Sequence, residues 1–121
     1  HVSFRGFTRS VLPAYAAMDC FALTSLSETY GMVTIEAMAA GLPVVGSDAG
    51  GTTEILSEGR SGLLVPPRDH EALAASLRGL LTDAAHMRRL GETARKNAFA
   101  RFSHTEQCER YEALFGQIRM S

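Results

Sequence analysis

The chain has 121 residues, 45% of them hydrophobic and 21% charged, and a formal net charge of −1. This composition supports one domain, or part of one, with a real core, and excludes a disordered chain. Near-neutrality, with 12 Lys and Arg against 13 Asp and Glu, excludes a general nucleic-acid surface, and no apolar run reaches the ~18 residues of a membrane-spanning helix.

"HVSFRGF" (1–7) reads as a strand, and so abrupt a start suggests a fragment of a larger fold. "TRSVLPAYAAM" (8–18) reads as a helix with Thr8 or Ser10 near its start, and "DCFALTS" (19–25) as a second strand. A helix is predicted over Met32 to Ala40, then a strand in "PVVGSD" (43–48), a short helix in "GGTTEILSEG" (50–59) and a strand in "GLLVPP" (62–67). These strand runs do not alternate polar with apolar, which suits strands covered on both faces. Repeated strand, helix, strand with short connections implies right-handed parallel crossovers. The predicted fold class is α/β: a parallel Rossmann-like sheet, the second half of such a domain, with its first βα units absent.

After the βα core (1–66) comes a helical tail (67–121). Asp69 is the expected N-cap of a helix whose apolar stripe is Leu73, Leu77, Leu80 and Leu81. The next helix carries Met87, Leu90, Ala94 and Ala98 on one face. The last begins at a capping box, Ser103 with Glu106, and shows Cys108, Tyr111, Phe115 and Ile118 as its stripe. A bare stripe of that size predicts dimerisation of the fragment.

Cys20 and Cys108 lie far apart with no CxxC spacing, which reads as two reduced thiols in a cytoplasmic protein. His1, His70, His86 and His104 form no ligating pattern, so no metal site is expected.

The chemistry concentrates in "SETYGMVTIEAMAAGLPVV" (27–45). Its helix is apolar on nearly every face yet holds Glu36, and Glu28 stands just before it. A carboxylate in such surroundings needs a partner. Two loops, "SLSETYG" and "SDAGGTT", fall at the carboxyl ends of predicted strands, where open parallel sheets bind ligands. Gly31 lets the backbone approach a ligand, and Met32, Val33 and Thr34 are expected to present unpaired N–H groups to a phosphate. Carboxylates accept hydrogen bonds only, so Glu28 and Glu36 suit hydroxyls on either side of that phosphate. A nucleotide sugar has that order of groups. Taken alone, Glu28 also fits a loop residue or helix N-terminal charge, and Glu36 a solvated helix position or a buried salt bridge.

Several motifs in one order then resemble the C-terminal, donor-binding half of the family 4 retaining glycosyltransferases of the GT-B fold. They are Ser25-x-x-Glu28-x-Tyr30-Gly31, the Glu28 and Glu36 pair, Met38 to Val45, Gly50-Gly51-x-x-Glu54, and Gly62-x-Leu-Val65. Thr24 and Thr29 stand where the family often has Pro and Gly. The resemblance implies transfer of a sugar from a nucleotide-sugar donor, with retention and without a metal or other cofactor. Glu28 would bond the donor sugar, Glu36 the ribose hydroxyls, and the backbone of Gly31, Met32, Val33 and Thr34 the sugar and diphosphate. The turn Gly6-Phe7-Thr8 would meet the base edge. The acceptor domain and the diphosphate-binding Arg and Lys would lie upstream, leaving this chain inactive alone. The implied location is cytoplasmic or at the inner face of the membrane. Rival readings are a non-catalytic nucleotide-binding module of the same fold and a sugar-nucleotide epimerase.

Overall fold

A computed structural model describes residues 1–27, 31–57, 60–105 and 113. Their order is α1 (Leu12–Ala17), β1 (Phe21–Leu23), α2 (Met32–Ala39), β2 (Val44–Ser47), α3 (Gly50–Ser57), β3 (Leu63–Val65), α4 (His70–Leu81) and α5 (Ala84–Phe102). The strands form one parallel sheet in the order β1-β2-β3, with Phe21 opposite Val44 and Val45 opposite Leu63. Parallel neighbours need a crossover, and α2 and α3 supply the two.

All four residues of β2 are buried, which explains the unalternating "VVGS". Side chains along a strand alternate between faces. Val44 accordingly joins Met38, Leu56 and Ala94 in one cluster, whereas Val45 joins Val65 and Leu80 in a second beneath α4. Helix α5 contributes to both, through Ala94 and Ala98 on one side and Leu90 on the other. Edge strand β1 departs from the two-sided expectation, because Ala22 is exposed.

Local chemistry fixes the helix ends. Asp69 caps α4 as expected, accepting from the Ala72 N–H at 2.9 Å, and Asp83 caps α5 through the His86 N–H at 3.0 Å. Arg101 donates to the Ile55 carbonyl at 3.0 Å, placing a cation on the last turn of α3. Buried Ser61 accepts from the Asn97 amide at 2.9 Å, a second tie from α5 to the α3–β3 connection.

Three expectations are corrected. Residues 1–10 form no strand: they pair with none of β1–β3, and Val2, Phe4 and Phe7 are exposed. A strand forms only against a partner edge, and across the switch point of a doubly wound sheet consecutive strands are not neighbours. Helix α1 starts at Leu12, with Pro13 in its first turn and Val11 as N-cap; the Thr8 hydroxyl instead donates to the Ser10 carbonyl at 2.9 Å. On α4, Leu80 is buried but Leu81 is 60% exposed, because the helix ends there and turns away. The predicted last helix, with Glu106, Cys108, Tyr111, Phe115 and Ile118, lies largely outside the described residues.

Candidate functional site

The carboxyl ends of all three strands open on a cleft of about 260 Å³. Thr24 and Leu26 enter it from beyond β1, Ser47 from β2, Val65 and Pro66 from β3, and Arg68 to His70 with Leu73 from the start of α4. The two loops read as facing one cavity thus meet there through Leu26 and Ser47. The third wall, the β3–α4 turn, had no counterpart in the sequence reading. Its signal was Pro66-Pro67 followed by a helix cap, and Arg68 takes a left-handed φ of 63° to make the turn. Ser47 is 4% exposed and lies on the α4 face of the sheet, on the same side as its register partner Val65.

Helix α2 begins at Gly31, whose φ of 74° and ψ of 34° place it in the left-handed region. Glycine adopts that conformation without steric cost, so the chain turns sharply into the helix and no side chain caps it. Met32 and Val33 are exposed at 51% and 39%, and none of the described residues bonds to their N–H groups. Thr34 differs from expectation. Its N–H is taken by the Gly31 carbonyl at 3.0 Å and its side chain is fully buried, the hydroxyl without a partner among the described residues. The donors at this helix start without a partner among the described residues are therefore those of Met32 and Val33.

Glu36 lies one turn further on and is half-buried. Its partner is the hydroxyl of Tyr15, which donates to Oε2 at 3.0 Å. No Lys or Arg among the described residues bridges to it. Tyr15, 6% exposed and set edge-to-face against Phe21 at 6.0 Å, carries no mark in the sequence; it reads there as one apolar position of a short helix. Glu28 falls outside the described residues, as do Thr29 and Tyr30. Gly6, Phe7 and Thr8 are exposed and do not line the cleft, and neither do Gly31, Met32, Val33, Thr34 or Glu36.

Burial, then the hydrogen bond to Glu36 and its negative charge, push the Tyr15 phenol up to about 12 from its ordinary 10.0. A group whose pKa is raised by folding stabilises fully below its unfolded value and loses that contribution as pH climbs through the folded one. Stability is thus expected to fall between pH ~10 and ~12, and Tyr15→Phe to flatten that window. Ultraviolet titration should show a late-ionising tyrosine that Tyr15→Phe removes, and a single transition near the ordinary value for every tyrosine would disprove the burial argument.

Cys20 is a free, half-buried thiol, raised in pKa by burial and by the charge of Asp19. Among the described residues no group of three or more His, Cys, Asp or Glu is placed to hold a metal, and no helix is long and apolar enough to cross a membrane.

Residues 1–83 match the family model described as glycosyl transferases group 1. The chain is 44% identical over 86 residues to a sulfoquinovosyl transferase of Arabidopsis thaliana, covering 69% of this chain and 17% of that protein. It is 32% identical over 117 residues to the N-acetyl-alpha-D-glucosaminyl L-malate synthase of Bacillus anthracis, covering 97% of this chain and 31% of that one. Its fold is similar to the crystal structure of Anabaena HepE in complex with UDP, with a TM-score of 0.80 and 32% identity over 89% of this chain and 30% of the other. The chain therefore spans less than a third of the length of each of these relatives.

Proposed function

The chain belongs to the group 1 glycosyl transferases, and from that premise we propose that it is the donor-binding part of an enzyme that transfers a sugar from a nucleotide sugar, with retention of configuration. The observation that carries this is the half-buried Glu36 carboxylate beside an α2 start where none of the described residues bonds to the Met32 and Val33 N–H groups. Helix-start N–H groups suit the diphosphate, because aligned peptide dipoles favour negative charge there. As the glycosidic bond breaks, charge develops on the departing diphosphate, and preorganised donors stabilise it without reorganisation.

In this proposal Glu36 accepts from the ribose hydroxyls and Glu28 positions the donor sugar. Gly31 gives the backbone its close approach, and Gly6-Phe7-Thr8 meets the base. The βα core (1–66) binds the donor and the helical tail (67–121) completes the domain. Upstream residues supply the acceptor domain and the cationic diphosphate contacts, and no metal takes part. UDP is the first nucleotide to try, given the similarity to HepE, whose structure is described as a UDP complex. The proposed location is the cytoplasm or the inner face of the membrane.

The test is a donor titration of the full-length enzyme. A hydrogen bond to a charged group contributes about 1.5–3 kcal/mol, so Glu36→Ala is expected to weaken nucleotide binding about 10- to 150-fold. Unchanged affinity would remove the role given to Glu36.

A further inference from the structure

We infer that Tyr15 is a positioning residue: its hydroxyl holds the Glu36 carboxylate so that the second oxygen is presented to the ribose hydroxyls of the bound nucleotide. This rests on the ribose-binding role proposed above for Glu36.

The geometry is specific about which atom does what. A phenol has one proton to donate, and the Tyr15 hydroxyl lies 3.0 Å from Glu36 Oε2 and 3.5 Å from the Val33 carbonyl oxygen. The shorter contact to an ionised acceptor takes that proton, since charge-assisted hydrogen bonds are the shorter and stronger ones. Oε2 is thereby engaged, and Oε1 bonds to none of the described residues, which leaves it for a ligand hydroxyl.

The anchor is as informative as the bond. Tyr15 is the one buried residue of the six-residue helix α1. Its ring belongs to the cluster that contains Met38, Val44 and Leu56, and it meets Phe21 of β1 edge-on. The hydroxyl is thus held relative to the sheet, and Glu36 inherits that position. A free glutamate side chain would lose rotamer freedom on binding a ligand. Ordering it beforehand moves that loss from binding to folding, which is how preorganisation raises affinity. A buried tyrosine with a purely packing role also needs an acceptor for its hydroxyl. The two roles separate in the ligand, because only positioning depends on the ribose hydroxyls.

The experiment uses the full-length enzyme and whichever of UDP, GDP and ADP binds most tightly, together with its dideoxy counterpart lacking both ribose hydroxyls. Tyr15→Phe keeps the ring against Phe21 and removes only the donor. It is expected to weaken binding of the ribonucleotide about three- to tenfold while leaving that of the dideoxy nucleotide unchanged. In a Glu36→Ala background the same change should cost nothing further. Equal weakening toward both nucleotides, or a Tyr15→Phe enzyme that binds like the parent while Glu36→Ala does not, would overturn the positioning role alone. Glu36→Ala binding like the parent, or no binding of any of the three nucleotides, would overturn the ribose role and this inference with it.

Discussion

Gly91→Ala is expected to lower the melting temperature, against the sign that helix propensity assigns to the change. In a free helix interior, replacing glycine by alanine stabilises by about 0.5–1 kcal/mol. Gly91, however, is buried in α5 where it crosses the turn between α2 and β2, and a Cβ there would run into the Gly41 carbonyl oxygen. That atom is backbone, held by a left-handed Gly41 with φ 80°, and has no rotamer to move to. Relief must come from shifting α5, whose Ala94 and Ala98 pack in the same cluster as Met38 and Leu42 of the opposing segment. Overpacking of this kind costs about 1–3 kcal/mol, which outweighs the propensity gain. The expected result is a drop of several degrees in thermal denaturation. Gly79→Ala in α4 is the control, since nothing lies within 4 Å of its added Cβ and it should stabilise. If the two variants moved the melting point in the same direction, close approach would not be the reason for Gly91.

Leu56→Ala is expected to cost about 3–5 kcal/mol, the upper part of the range for removing a buried leucine. Leu56 is fully buried on α3. Its methyls occupy the room left by two glycines: a Cβ on Gly46 would come within 2.9 Å of Leu56 Cδ1, and one on Gly62 within 2.8 Å of Cδ2. Gly46 is in β2 and Gly62 immediately precedes β3, so neither wall of the resulting cavity has a side chain that can move in. A domain is stable by only about 5–15 kcal/mol, so this single change removes a large share. Chemical denaturation measures it, and a loss below about 1 kcal/mol would mean that α3 settles onto the sheet and closes the void. The effect reaches the cleft through place, since α3 connects β2 and β3, whose Ser47 and Val65 both line it.

Parallel strands and crossover helices were legible because their signals are local. Apolar runs without alternation marked β2 and β3, and the Asp69 cap with Leu73, Leu77 and Leu80 marked α4. "HVSFRGF" carries an equally good strand signal and forms none, because strand formation depends on a partner edge as much as on propensity. Gly31 was readable as the turn into α2, since few other residues take its backbone conformation. The pairing at Glu36 was not, because Tyr15 lies 21 residues upstream and its hydroxyl reaches the carboxylate through packing of its ring in the core.

By itself the sequence determined that Glu36 stands inside an apolar helix, that Gly31 opens that helix, and that both follow a strand of a parallel sheet. Those properties depend on residue type and spacing, which set backbone conformation and helix phase. The structure decided which donor reaches Glu36, which N–H groups at the helix start find no partner among the described residues, and that Arg68 and His70 line the cleft. The first and last of these are meetings between segments distant in the chain, fixed by how the core closes, whereas the N–H pattern follows from the Gly31 carbonyl taking the Thr34 N–H.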